Sequence, residues 1–123
     1  MKPNNKYSAQ EKLKSKKDID LLFKKGKSIN AFPIRAIYIK KNETSSNPIN
    51  AGFTVSKKNI KLAVNRNLIK RRMREAYRLN NHSLKNSELM LNIMFIYSSK
   101  EILPYETIER KIKVLLSRLP ELT

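Results

Sequence analysis

The chain has 123 residues, with 27 Lys or Arg against 10 Asp or Glu, a formal net charge of +17 and a pI near 10.3. That length suits one domain around one core, and such self-repulsion is best tolerated beside a polyanion: RNA, DNA or an anionic membrane surface. There is no cysteine, which excludes a disulfide framework and a thiolate metal site and suits a reducing compartment, the cytoplasm by default.

Residues 1–14 are rich in Lys, Asn and Ser and include Pro3, the composition of a flexible basic N-terminal arm. They lack the apolar run of a secretory signal, so no export is expected. A single folded domain is then expected over 15–123. Ser15 suits an N-cap with Asp18 three residues on, Ile19, Leu22 and Phe23 follow at helical spacing, and Gly26 suits the C′ position; together they predict a helix over 16–25. After a Phe32-Pro33 turn, Ile34 to Lys40 alternates and is rich in β-branched and aromatic residues, as in a strand. A turn-rich loop over 42–50 leads to a second strand from Ala51 to Ser56, with Phe53 and Val55 on one face and Gly52 and Thr54 on the other. These two strands are expected to form a hairpin.

From Val55 to Arg78 the chain carries nine cations and one acid, Glu75. At about 100° per residue, a helix over 62–80 gathers Arg66, Asn67, Lys70, Arg71, Arg74 and Arg78 on one arc, with Leu68, Ile69, Met73, Ala76 and Leu79 opposite. Asn80-Asn81-His82-Ser83 ends the periodicity with turn residues. Leu89 to Tyr97 is apolar on nearly both faces and reads as a central strand covered by helices, although a buried helix has the same pattern; it is too short to span a bilayer as a helix. Pro104 fits N1 of a last helix whose core stripe is Ile108, Ile112, Leu115, Leu116 and Leu119, with Pro120 after its end. The fold class is α+β, in the order α-β-β-(β)-α-β-α, without an internal repeat.

Cutting a nucleic acid takes a metal-binding carboxylate cluster or a general acid and base. The acids here are scattered. Asp18 and Asp20, the closest pair, do not face each other on a helix. His82 is the single histidine and Gly26 and Gly52 the only glycines, which excludes a two-histidine ribonuclease and a glycine-rich phosphate loop. No catalytic residue and no metal site within the protein are therefore expected. The basic arc lacks the i+4 acids of a salt-bridged surface helix, so a polyanion is favoured over a merely solvated face, and its apolar side suits a protein core better than a membrane. Arg66, Arg71 and Arg74 offer planar forks to phosphate, and Asn67 can donate to it. For Arg72, a stem on the core edge with a snorkelling head is favoured over an RNA contact.

Ser56-Lys57-Lys58, then Ala63-Val64-x-Arg66-Asn67-x-x-Lys70-Arg71-x-x-Arg74-Glu75-Ala76-x-Arg78, resembles the signature of the bacterial ribonuclease P protein subunit. The likeness extends upstream over Leu13 to Gly26 and downstream to the final helix. It implies a two-layer α/β sandwich with a left-handed βαβ crossover, and a holoenzyme whose catalytic RNA uses Mg²⁺ to remove the 5′ leader of precursor tRNA. The partners implied are that RNA and precursor tRNA, with no membrane and no DNA; the protein alone is expected to be inactive and to hold no cofactor tightly. The likeness assigns Lys57, Lys58, Arg66, Asn67, Lys70, Arg71, Arg74 and Arg78 to RNA binding, and Ile19, Phe23, Arg35 and Ile37 to a leader cleft. Three departures stand out: Leu68 where many members carry a cation, Ile19 where Phe is frequent, and Asn59-Ile60-Lys61-Leu62 in place of a shorter glycine-containing link. The alternative reading is a general RNA-binding or ribosome-associated protein.

Overall fold

The computed structural model describes residues 12–13, 16–41 and 49–122. The expectations for residues 1–11 and for Ser15 as an N-cap lie outside the described residues. The elements are α1 (Lys16–Lys25), β1 (Lys27–Ala31), β2 (Ile34–Lys40), β3 (Ile49–Val55), α2 (Ala63–Asn80), a short α3 (His82–Lys85), β4 (Leu91–Tyr97) and α4 (Tyr105–Leu122). Helix α1 falls where its periodicity predicts. It ends at Gly26, whose amide donates to the Leu22 carbonyl at 2.8 Å. Close approach, and not a left-handed turn, is what requires glycine there: none of the described glycines has a positive φ, while an added Cβ would stand 2.6 Å from Ile37 Cγ2 and also strike the Leu22 carbonyl.

The strands form one sheet in the order β1-β2-β4-β3. This corrects the expected hairpin. Strand β2 pairs antiparallel with β1 through the turn at the cis Phe32-Pro33 bond, and β4 inserts between β2 and β3, antiparallel to the first and parallel to the second. Because β4 is central, each of its faces needs apolar cover, which explains its nearly unbroken hydrophobic run.

Pleat parity divides the sheet into two faces. On one, Ile34, Ala36, Leu91, Ile93, Phe95, Ala51 and Val55 join Ile69, Met73, Ala76 and Tyr77 of α2 and Ile108, Ile112, Leu115 and Leu119 of α4 in the main core. Phe53, Tyr77 and Phe95 contact one another there with ring centroids 5.3 to 5.8 Å apart, tying β3, α2 and β4 together. On the other face α1 buries Leu22 against Ile37 and Met94, with Leu13, Ile19, Ile39 and Ile96 around them. The sheet and the α2–α4 pair are thus the two principal layers, and α1 adds a partial third.

Four further expectations are corrected. Leu79 of α2 is exposed and Leu68 only half-buried, because the helix turns its Ile69–Met73–Ala76–Tyr77 stripe to the sheet. The 82–85 segment is a helical turn, and Asn81 between it and α2 is fully buried. Pro120 lies inside α4, two residues from its end, where a proline forfeits the hydrogen bond to the residue i−4 carbonyl and its ring crowds that carbonyl. The Pro104 carbonyl accepts from the amides of Thr107 and Ile108, one residue outside the predicted position.

Candidate nucleic-acid interface

Helix α2 begins without a side-chain cap at Leu62 and with no acid in its first turn, so its positive dipole end is uncompensated. The link before it is held from within. Arg66 Nη1 donates to the carbonyls of Ile60 at 2.9 Å and Lys61 at 2.8 Å, and Asn59 Nδ2 donates to the Ser98 carbonyl at 2.6 Å. Buried Ile60 completes this anchorage, which sets the Lys57–Lys58 turn at the end of the sheet with both lysines exposed.

The predicted RNA-facing residues separate by what they touch. Asn67, Arg71 and Arg74 are exposed and Lys70 is half-buried, and none of the four makes a hydrogen bond or ion pair with the described residues. Arg66 is already engaged with the link carbonyls. Arg78 is engaged as well: its Nε and Nη2 donate to the two carboxylate oxygens of Glu75, the one acid of the stretch, at 3.1 and 2.5 Å across an i, i+3 spacing. Those hydrogen bonds hold the Glu75 carboxyl below its ordinary range, against a smaller opposing effect of burial. Arg72 points away, with Nη1 donating to the Leu103 carbonyl at 2.7 Å, in keeping with the core-edge reading.

Two hollows flank this ladder. One, about 250 Å³, is lined by Lys12, Arg71, Arg74, Glu75 and Arg78; the other, about 330 Å³, by Val64, Asn65, Asn67, Leu68 and Arg71. Sequence reasoning missed Lys12. It reaches α2 because residue 12 bridges to Ala51 on the β3 edge and the Leu13 amide donates to the Ala51 carbonyl at 3.0 Å, a long-range pairing that no local periodicity signals.

The predicted cleft residues lie on the α1 face. Ile37, only 7% exposed, is packed beneath Leu22 and can shape a cleft only as its floor. Ile19 is half-buried, Arg35 is exposed, and Phe23 is 51% exposed. The register sets Arg35 beside Ile96 and Ile96 beside Thr54, an open row at the sheet end next to the Lys57–Lys58 turn. Ile96 and Thr54 were not predicted; strand order was needed to align them. At the opposite end Lys41 donates to Asn50 Oδ1; burial lowers the Lys41 pKa and nearby Asp18 partly restores it.

Among the described residues there is no group of three or more His, Asp or Glu able to hold a metal ion, and no helix is long and apolar enough to cross a membrane. The Ribonuclease P family model matches residues 7–120. A ribonuclease P protein component from Porphyromonas gingivalis is 33% identical over 116 residues, covering 91% of this chain and 85% of its own; one from Alkaliphilus metalliredigens is 41% identical over 88 residues, covering 72% and 73%. The solved RNase P protein of Staphylococcus aureus superposes with a TM-score of 0.71 at 25% identity, covering 89% of this chain and 94% of that one, and that of Thermotoga maritima with 0.68 at 29%, covering 88% and 96%. The basic helix, the sheet behind it and these likenesses over nearly the full length agree: the chain belongs to the ribonuclease P protein family.

Proposed function

We propose that this chain is the protein subunit of ribonuclease P, which promotes endonucleolytic removal of the 5′ leader from precursor tRNA while its RNA partner performs the chemistry. The observation that carries this is the cationic ladder of α2, Lys70, Arg71 and Arg74 with Asn67, uncommitted among the described residues, in a chain of this family. Each guanidinium binds phosphate oxygens through paired donors, and each phosphate neutralised releases counterions, so the ladder holds the catalytic RNA with a salt-dependent affinity. Lys57 and Lys58 extend that surface around the helix start, and Arg66 supports it by fixing the link. The single-stranded leader lies along the α1 face, with Phe23 offering a ring to a base and Arg35 a charge to the backbone. Mg²⁺ acts within the RNA-containing holoenzyme, and the protein works in the cytoplasm.

The test is reconstitution. The chain is added to the catalytic RNA at low Mg²⁺ and precursor tRNA cleavage is followed. Stimulation of cleavage, with no cleavage by protein alone, is the expected result. RNA binding without stimulation points instead to a general RNA-binding protein, and cleavage without the RNA to a protein-only nuclease.

A further inference from the structure

Arg71 forms a wall common to both hollows on α2, yet the two differ in chemistry. The 250 Å³ hollow presents Lys12, Arg74 and Arg78 beside it, with Glu75 paired to Arg78; with four cations to one acid it suits a phosphate. Among the described residues, the 330 Å³ hollow has Arg71 as its only cation and is otherwise built from Val64, Leu68 and the carboxamides of Asn65 and Asn67. Val64 is 70% exposed, and covering its apolar surface yields nothing against a phosphate, whose hydration is lost in the process. An unpaired nucleobase matches each part of this lining. Its faces are apolar enough for Val64 and Leu68, a guanidinium plane stacks on it, and the two carboxamides each carry a donor and an acceptor for its edge. Neither carboxamide is committed to a hydrogen bond among the described residues.

We infer that the hollow formed by Val64, Asn65, Asn67, Leu68 and Arg71 takes one unpaired base of the RNA partner, while the neighbouring hollow takes a phosphate next to it. This rests on the proposal that α2 binds the catalytic RNA. Adjacent base and phosphate are the two halves of a nucleotide, and Arg71 between them serves both. Leu68, which with Val64 supplies the apolar part of this lining, is then a selectivity device that gives α2 a base to recognise in addition to a charge to neutralise.

The experiment is chemical footprinting of the full-length catalytic RNA, free and in complex with the wild-type chain, the double variant Val64→Ser/Leu68→Ser, or Leu68→Lys. Dimethyl sulfate reads adenine and cytosine, and a carbodiimide reads uracil and guanine, so every base is covered. With the wild type, at least one base that is reactive in free RNA becomes protected. In the double variant that protection is lost and affinity falls about fivefold, the lower end of what one stacked base contributes, with the slope of log affinity against log salt unchanged. Leu68→Lys also loses the protection but steepens the slope. The inference is overturned if the double variant binds the RNA with the wild-type base footprint. If the wild-type chain does not bind the RNA at all, the proposed function fails and the inference with it.

Discussion

Arg66 and Ile60 are joined by a hydrogen bond of 2.9 Å in which the guanidinium donates to the backbone carbonyl, and the same nitrogen reaches the Lys61 carbonyl at 2.8 Å. One arginine of the basic helix is therefore a strut. Arg66→Ala is expected to cost about 1–2 kcal/mol of stability, since each lost bond returns an accessible carbonyl to water. Arg74→Ala, at an exposed position, should stay within about 0.5 kcal/mol of the wild type while reducing the salt slope of RNA binding by about one unit or less. Urea denaturation and filter binding on both variants check the contrast; equal stability of the two overturns it.

Glu75 cancels part of the charge of the ladder by engaging Arg78 through both carboxylate oxygens. Glu75→Gln should tighten RNA binding and steepen its salt dependence by up to about one unit. The carboxyl is held below its ordinary range by those hydrogen bonds. The pair's contribution is therefore complete above the unfolded value of about 4.3 and is lost only as pH falls through the lower folded value. The difference between the variant and wild type should accordingly stay constant from about pH 5.5 to 8. Binding isotherms across that range measure it.

Gly26 is where the end of α1 meets β2. Gly26→Ala places a methyl 2.6 Å from Ile37 Cγ2 and against the Leu22 carbonyl. Thermal denaturation should show a loss of about 1–3 kcal/mol, because the Leu22 carbonyl on one side and the Ile37 side chain on the other must both move. An unchanged midpoint excludes the close packing of α1 on the sheet.

Glu88 carries the only positive φ among the described non-glycine residues, 65°, and its side chain is exposed. Glu88→Gly removes the left-handed penalty at the cost of some unfolded-chain entropy, for a net gain of about 0.5–1 kcal/mol. A lower urea midpoint would show that the glutamate stabilises the turn in some other way.

Phe23 is half-exposed, so its truncation probes binding with little effect on the fold. Phe23→Ala should weaken the holoenzyme's affinity for precursor tRNA about five- to tenfold, the order of one or more stacked-base contacts, and leave mature tRNA within twofold. Equal loss for both ligands removes Phe23 from the leader cleft.

Local signals made much of the fold legible. The Ile19–Leu22–Phe23 spacing marked α1, the Ile108-to-Leu119 stripe marked α4, and alternation marked β2. What stayed hidden was non-local. The turn-rich 42–48 segment imitates a hairpin link, but β2 and β3 are separated by a strand that arrives some forty residues later in the chain, as the β3–β4 register shows. At the candidate interface the residue types were readable, whereas their commitments were not. The Arg78–Glu75 pair, at i, i+3 on one helix, and the reach of Arg66 back to the link carbonyls are short-range, whereas only tertiary placement sets Ile37 on the floor beneath α1 and brings Lys12 to α2.

The central position of β4 sets a schedule for biogenesis. Strands β2 and β3 have no ladder to share until Leu91–Tyr97 is made, and α2 packs against a sheet whose middle is missing until then. Emerging from the ribosome, the cationic helix precedes the strand that orients it, and α4, needed to close the same core, comes last. The nascent chain thus carries its charge before it has a shape, and the cationic face of α2 gains a fixed orientation only once β4 and α4 have been made.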